Sequence, residues 1–298
     1  MNRKQYLASI IILGVVTAGL VVTNTIYAFM DWLYVFIIVS AGYLFIKYKV
    51  SGPLQMFATK FSMLVDYDLD VEGAVKMCEQ AIADAPTRSI EALYRVYGGM
   101  ALYYAGRYQD AVKMLNAVEL KRLNSVYHVL IFAFVCYASY EDGDLETFNF
   151  TLERIKNLKD KVGPKYQGFV DNYIEILSAI QNIDVSVDHY KEVVEKHFTR
   201  EDGFISTKLI FNYRMAIYYQ KIGDTLEMDK CLAFVIANGK EHHTAISARS
   251  MFKGSVDVKD YIYVEPQTKS SIDLPVEADQ PELIETQSGK PEEEKKDE

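Results

Sequence analysis

Two apolar stretches open the chain. No charged side chain occurs from Gln5 to Met30, and after Asp31 a second uncharged stretch runs from Trp32 to Ile46. A bilayer core takes about 20 mostly apolar residues per helix. The pattern predicts two spans, over about 6–27 and 29–47, joined by a tight turn, with Lys47 reaching to the far interface. From Leu54 to about Met251 the pattern changes. Apolar residues recur at i, i+3, i+4 and i+7, little alternation of the strand type occurs, and breaks are short. Segments of about 12–20 residues between Gly, Asn, Asp and Pro punctuation predict helices joined by tight turns. Asp144, Asp184 and Asp224 stand where helix N-caps belong. Ser51-Gly52-Pro53 reads as a break after the second span.

Charge distribution orients the hairpin. Arg3 and Lys4 precede the first span, Lys47, Lys49 and Lys60 follow the second, and the turn from Asn24 to Asp31 has neither Lys nor Arg. The positive-inside rule then places both termini in the cytoplasm. A cleaved signal peptide is the competing reading. The apolar core is too long for one, and no A-x-A-like site follows it. Gly14, Thr17 and Ala18 form a small-residue stripe that suits close helix approach, although small residues are common in membrane helices.

The net charge of −9 is unevenly spread. Residues 265–298 hold 11 acidic and 4 basic side chains, leaving −2 for residues 1–264. The region 255–298 carries four of the seven prolines and ends in a run of Glu and Lys, a composition that predicts a disordered acidic tail. The near-neutral body lacks the basic face that nucleic acid requires. Three separated cysteines, Cys78, Cys136 and Cys231, with no C-x-x-C pair, suit buried thiols in a reducing compartment.

The helical pattern repeats. Ala74-Val75-Lys76-Met77 recurs as Ala111-Val112-Lys113-Met114, 37 residues later, and another 37 residues reaches Phe148. Segments near Asp188 and Met228 follow at steps of 40. About five helix pairs at such a period predict a helical solenoid, in which each unit buries its apolar face on its neighbours.

The stretch from Tyr94 to Val118 resembles a tetratricopeptide repeat: Gly99, Gly106, Tyr108 and Ala111 match the small residue of the first helix, the turn glycine, the following aromatic and the small residue of the second helix. Later units depart from the pattern, with Phe148 and Met228 in place of the small residue. The resemblance implies an all-α fold, with the N-terminal hairpin over 1–50 and a divergent repeat array over 54–252. It also implies a concave face lined by the first helices. By register that face carries Met63, Met100, Tyr103, Tyr137, Tyr140, Tyr173, Tyr213 and Ile217. The cations of a carboxylate-clamp variety are missing there, so an apolar or amphipathic protein segment is the implied partner. Tyrosines at this spacing also suit a core between repeats.

No catalytic motif appears: no nucleophile elbow, phosphate loop, dinucleotide fingerprint or H-E-x-x-H. No cofactor is implied, nor a metal. His242 and His243 are adjacent, about 100° apart on a helix, and read as a polar stretch opening the last helix. Arg214 sits among Tyr213, Met215 and Tyr218, where it either stacks on aromatics, reaches a carboxylate or meets a ligand. The sequence therefore leads to a membrane-anchored, non-catalytic scaffold or adaptor in a bacterial plasma membrane, multi-pass, with the solenoid on the cytoplasmic side. The alternative is a peptide- or ligand-responsive regulator of a membrane enzyme or transporter, and an enzyme with an unrecognised site stands behind both.

Overall fold

Twelve α-helices and no strand are present in the computed structural model, which describes residues 2–28, 30–199 and 204–264. The disorder expected of residues 265–298 concerns residues outside that range. Residues up to Tyr263 form one unit.

Helix α1 (Arg3–Tyr27) and α2 (Trp32–Ser62) make the N-terminal hairpin. Both are long and apolar enough to cross a membrane, and their apolar side chains are almost entirely exposed. The close approach between the two is at Gly42, where an added Cβ would lie 2.8 Å from the Leu13 side chain, whereas Gly14 faces open space. The buried Asn24 closes the turn by accepting a hydrogen bond from the Met30 amide at 3.0 Å.

The break expected at Ser51-Gly52-Pro53 does not occur. α2 continues through Pro53 to Ser62 and passes into one π turn, Met63–Tyr67. An internal proline costs about 3 kcal/mol through its missing N–H and ring clash. The residues beyond it offset that cost: Leu54, Phe57, Ala58 and Phe61 are buried, and the Phe57 ring lies 4.5 Å from Tyr94 and 5.5 Å from Tyr97. Tertiary packing overrides the local break signal.

Ten further helices follow: α3 (Val71–Asp84), α4 (Arg88–Tyr104), α5 (Tyr108–Asn116), α6 (Ser125–Glu141), α7 (Leu145–Lys156), α8 (Gln167–Gln181), α9 (Val187–Phe198), α10 (Ile205–Ile222), α11 (Thr225–Asn238) and α12 (His243–Met251). Each packs on the next in sequence, and α4, α6 and α8 also pack side by side. Asp70, Thr87, Asn124, Asp144 and Asp224 cap their helices by accepting backbone amides. Asp184 does not cap. α9 begins at Val187, and Asp184 pairs with Lys221 instead.

Three of the helix ends are built alike. Gly106, Gly143 and Gly223 have φ of 74°, 81° and 78°, and the amide after each bonds to the carbonyl five residues back: Arg107 to Leu102, Asp144 to Ser139 and Asp224 to Tyr219, at 2.8–2.9 Å. This is the Schellman closure, which needs the left-handed conformation that glycine adopts freely.

Gly99 shows why the α4–α5 pair needs small residues. A Cβ there would sit 2.4 Å from Cγ of the buried Leu115, while one at Gly98 would meet the flexible Met114 sulfur at 2.7 Å. Gly99→Ala is expected to lose about 1–2 kcal/mol net, because overpacking outweighs the helix-propensity gain. Gly98→Ala is expected to stay near neutral, since the thioether can swing aside. Thermal unfolding checks the contrast, and equal melting temperatures for the two variants would refute it.

Residues 255–263, expected to belong to the tail, are fastened to α11. Buried Asp229 accepts the amides of Lys253 at 2.9 Å and Ser255 at 2.7 Å, and Asn238 bonds the backbone of Tyr261 and Tyr263. The acidic character begins only after this strap.

Candidate functional site

The last helix comes back to the first repeats. Ser206 of α10 donates to Asp66 at 2.9 Å, and the Asp66 carboxylate also accepts from Ser62 at 2.6 Å. Burial raises the Asp66 pKa against the pull of those two hydroxyls. Leu69, at φ 52°, tucks its side chain into a core with Leu209, Tyr213, Met228 and Leu232. The Tyr103 ring lies 4.4 Å from His243, and the Tyr104 ring 5.4 Å from His242. These contacts join parts of the chain more than 130 residues apart.

His242 and His243 open α12, as the N-cap and first residue. Both are fully buried, at 0% and 1% exposure. His242 caps the helix through its ring, with Nδ1 2.8 Å from the Thr244 hydroxyl, and His243 Nδ1 is 3.3 Å from the Tyr108 hydroxyl. Nε2 of each ring has no hydrogen-bond partner. Burial pushes His242 down to about 3, and burial with the neighbouring His242 and Arg214 drives His243 well below its ordinary value. Both rings are neutral at pH 7. Among the described residues no three His, Cys, Asp or Glu side chains converge as a metal site would require.

Between α4, α6, α8 and α10 lies an aromatic cavity of about 310 Å³. Tyr103, Tyr137 and Tyr173, from α4, α6 and α8, line it, so three of the eight residues expected on a binding face come together here. Tyr137 stands 6.0 Å from Tyr103 and 6.5 Å from Tyr173, ring to ring. The other five lie elsewhere. Met63 is exposed on the π turn, and Met100 is half-buried outside the cavity. Tyr140 packs on Phe148, Tyr213 bonds Glu141, and Ile217 packs against the core around Leu209.

The remaining wall comes from residues the register argument passed over. Phe134 precedes Tyr137 by three positions and Phe169 precedes Tyr173 by four, so each shares its neighbour's helix face. That spacing is the signal that could have found them. His197 and Phe198, at the end of α9, carried no such signal.

Arg214 of α10 supplies the charge. It is 4% exposed, and its guanidinium lies 5.4 Å from the Tyr137 ring centroid and 5.5 Å from that of Phe198. Of the three sequence readings, stacking on aromatics is present. No hydrogen-bonded carboxylate accompanies it among the described residues, and Nε has no partner. Glu141 exerts an electrostatic pull but spends its carboxylate on the Tyr213 hydroxyl at 3.2 Å. Burial raises the Glu141 pKa, against the opposing effects of Arg214 and Tyr213.

No family model, curated protein or solved structure matches this chain. The chemistry must be read from the site alone.

The phenol and thiol groups in and beside the cavity hold their protons. Burial raises the phenols on the wall, Tyr137 to about 12, with Tyr103 and Tyr173 also above their ordinary value. As neutral phenols they keep their O–H groups as hydrogen-bond donors. The Cys136 thiol is likewise pushed up to about 12 by burial, so it holds its proton. His197 is engaged with Glu175 at 2.9 Å. The cavity offers aromatic faces, phenol donors and one fixed positive charge.

Proposed function

We propose that this chain is a membrane-tethered, non-catalytic regulator whose aromatic cavity receives a ligand and passes its occupancy to a membrane neighbour. The N-terminal hairpin spans a bacterial plasma membrane, with both termini and the domain in the cytoplasm. The domain is a divergent tetratricopeptide-like solenoid of five helix pairs, in which the C-terminal half of α2 serves as the first helix of the first pair. Three alike Schellman turns and the side-by-side packing of alternate helices support that reading.

The observation that carries the function is the cavity itself. Its volume lies at the lower end of the range for small-molecule sites. Tyr103 and Tyr137 are buried, so the face they share is closed to a whole helix lying along it. The scaffold reading, with a protein segment along the first helices, is favoured only where apolar side chains stay exposed on the rim, as at Met63, Tyr67 and Phe204.

In-cell photo-crosslinking tests the reading. A crosslinking residue at Tyr173 is expected to capture a distinct adduct that the same residue at exposed Lys113 does not. In the same cells a membrane-impermeant thiol reagent is expected to label a cysteine placed at Ala28 and to spare one at Lys113. Equal, diffuse capture from both crosslinking sites would remove the cavity from the function, and the reverse labelling pattern would invert the topology.

A further inference from the structure

The guanidinium of Arg214 poses an accounting problem. A buried charge without a hydrogen-bonded partner is costly, and stacking does not resolve it. Tyr137 and Phe198 meet the guanidinium within cation–π reach and the buried Tyr190 hydroxyl bonds the side chain, but the in-plane donors outnumber these partners and Nε has none. No described residue accepts a hydrogen bond from Nε, and no ion pair to Arg214 occurs among the described residues. The residue lines the cavity rather than solid core. Its side chain therefore borders space that a ligand can fill.

We propose, building on the regulator reading above, that this cavity binds a small organic monocarboxylate, its acid group on Arg214 and its apolar body between the aromatic rings. Three observations select this class. A planar guanidinium matches a carboxylate bidentately. Among the described residues one cation lines the cavity, since His197 is taken by Glu175, and the nearby Glu141 opposes a second negative charge. One charge therefore fits better than the two of a phosphate monoester. The wall beyond Arg214 is ring-lined, with Phe134, Phe169 and Tyr173 in place and the Asn172 amide as a further donor. At protein-like packing density, about 310 Å³ holds roughly a dozen non-hydrogen atoms, enough for a short arylalkanoate.

Calorimetry on the full chain in nanodiscs of uncharged lipid tests the assignment, with 3-phenylpropanoate as the probe at pH 7.5. The acid is expected to bind, its methyl ester and inorganic phosphate are not, and Arg214→Met is expected to weaken the acid by about tenfold or more. Arg214→Met removes a buried charge and its fold must be checked by circular dichroism. Ile176→Trp fills the cavity without touching Arg214 and is expected to abolish binding on its own. Equal binding of acid and ester, undiminished binding to a folded Arg214→Met, or preference for phosphate would each overturn the proposal. So would a response to peptides with a free C-terminus but to no free acid. Absence of acid binding while Tyr173 still captures its adduct would sink the ligand class and leave the regulator reading standing. Loss of both would remove both.

Discussion

Between pH 7.5 and pH 5 the protein is expected to lose about 2 kcal/mol of stability through His242, with a further loss through His243, before any offset. Both side chains are buried and neutral in the fold, with folded values at about 3 and well below 6.5, against 6.5 when unfolded. The unfolded chain binds protons as pH falls through 6.5, and the folded chain does not. The stability contribution is therefore full above pH 6.5 and drains away toward pH 3, by about 1.4 kcal/mol per histidine per pH unit. Glu141 and Asp66 act in the opposite sense. Burial raises both, so the folded state takes up those protons first and gains stability as pH falls toward their unfolded values of 4.5 and 3.8. The histidine effect stands clearest just below pH 6.5. Urea unfolding at pH 7.5 and 5.0 measures it. His243→Phe keeps a ring beside Tyr103 and Tyr108 and is expected to remove the His243 part of the loss. A midpoint independent of pH, or an unchanged loss in His243→Phe, would contradict the burial argument.

Phe148→Ala is expected to cost about 3–5 kcal/mol, among the largest single-residue effects in the α6–α7 region. Phe148 is 1% exposed, and its ring lies 5.8 Å from Tyr140. Its backbone carbonyl meets the Cys136 sulfur at 3.6 Å. The position matters because it departs from the small residue of the preceding pair. Gly99 and Ala111 in α4–α5 correspond, 37 residues on, to Cys136 and Phe148 in α6–α7. The first pair closes by bringing backbones together over Leu115. The second uses a thiol and a phenyl ring. Truncating the ring leaves a void that neither helix can close without breaking its other contacts. Phe148→Leu keeps most of the volume and is expected to cost under about 2 kcal/mol. Denaturant midpoints decide. A Phe148→Ala protein as stable as wild type would mean that α6 and α7 re-pack freely.

Much of the fold was legible because its determinants are local. Helical periodicity, the glycines at 106, 143 and 223, and the caps at Asp144 and Asp224 act within a few residues, and each appears where the sequence puts it. The site was legible only in part. Tyr103, Tyr137 and Tyr173 follow from register. The closure that buries their surroundings links Asp66 to Ser206 and Tyr108 to His243, and no periodicity spans those separations. The same blindness made Glu241-His242-His243-Thr244 look solvated. Glu241 is exposed, whereas the histidines are buried, with Nδ1 of each engaged by Thr244 or Tyr108 and Nε2 of each without a partner. At Pro53 and Asp184 local signals were present and lost, the first to packing of Phe57 and Phe61, the second to an ion pair with Lys221.

The unbroken α2 makes the domain a load on a stiff shaft. Its 31 residues extend about 46 Å at 1.5 Å per residue. On the membrane-spanning reading, one half lies in lipid and the other carries Phe57 and Phe61 against the α4 rings, with no joint between. A 10° change in tilt, as a bilayer of different thickness imposes, would sweep the far end through about 8 Å. Such a swing arrives at the π turn and Asp66, where the last helices are latched to the first. On the proposed function, lipid thickness and cavity occupancy would act on the same latch from opposite ends.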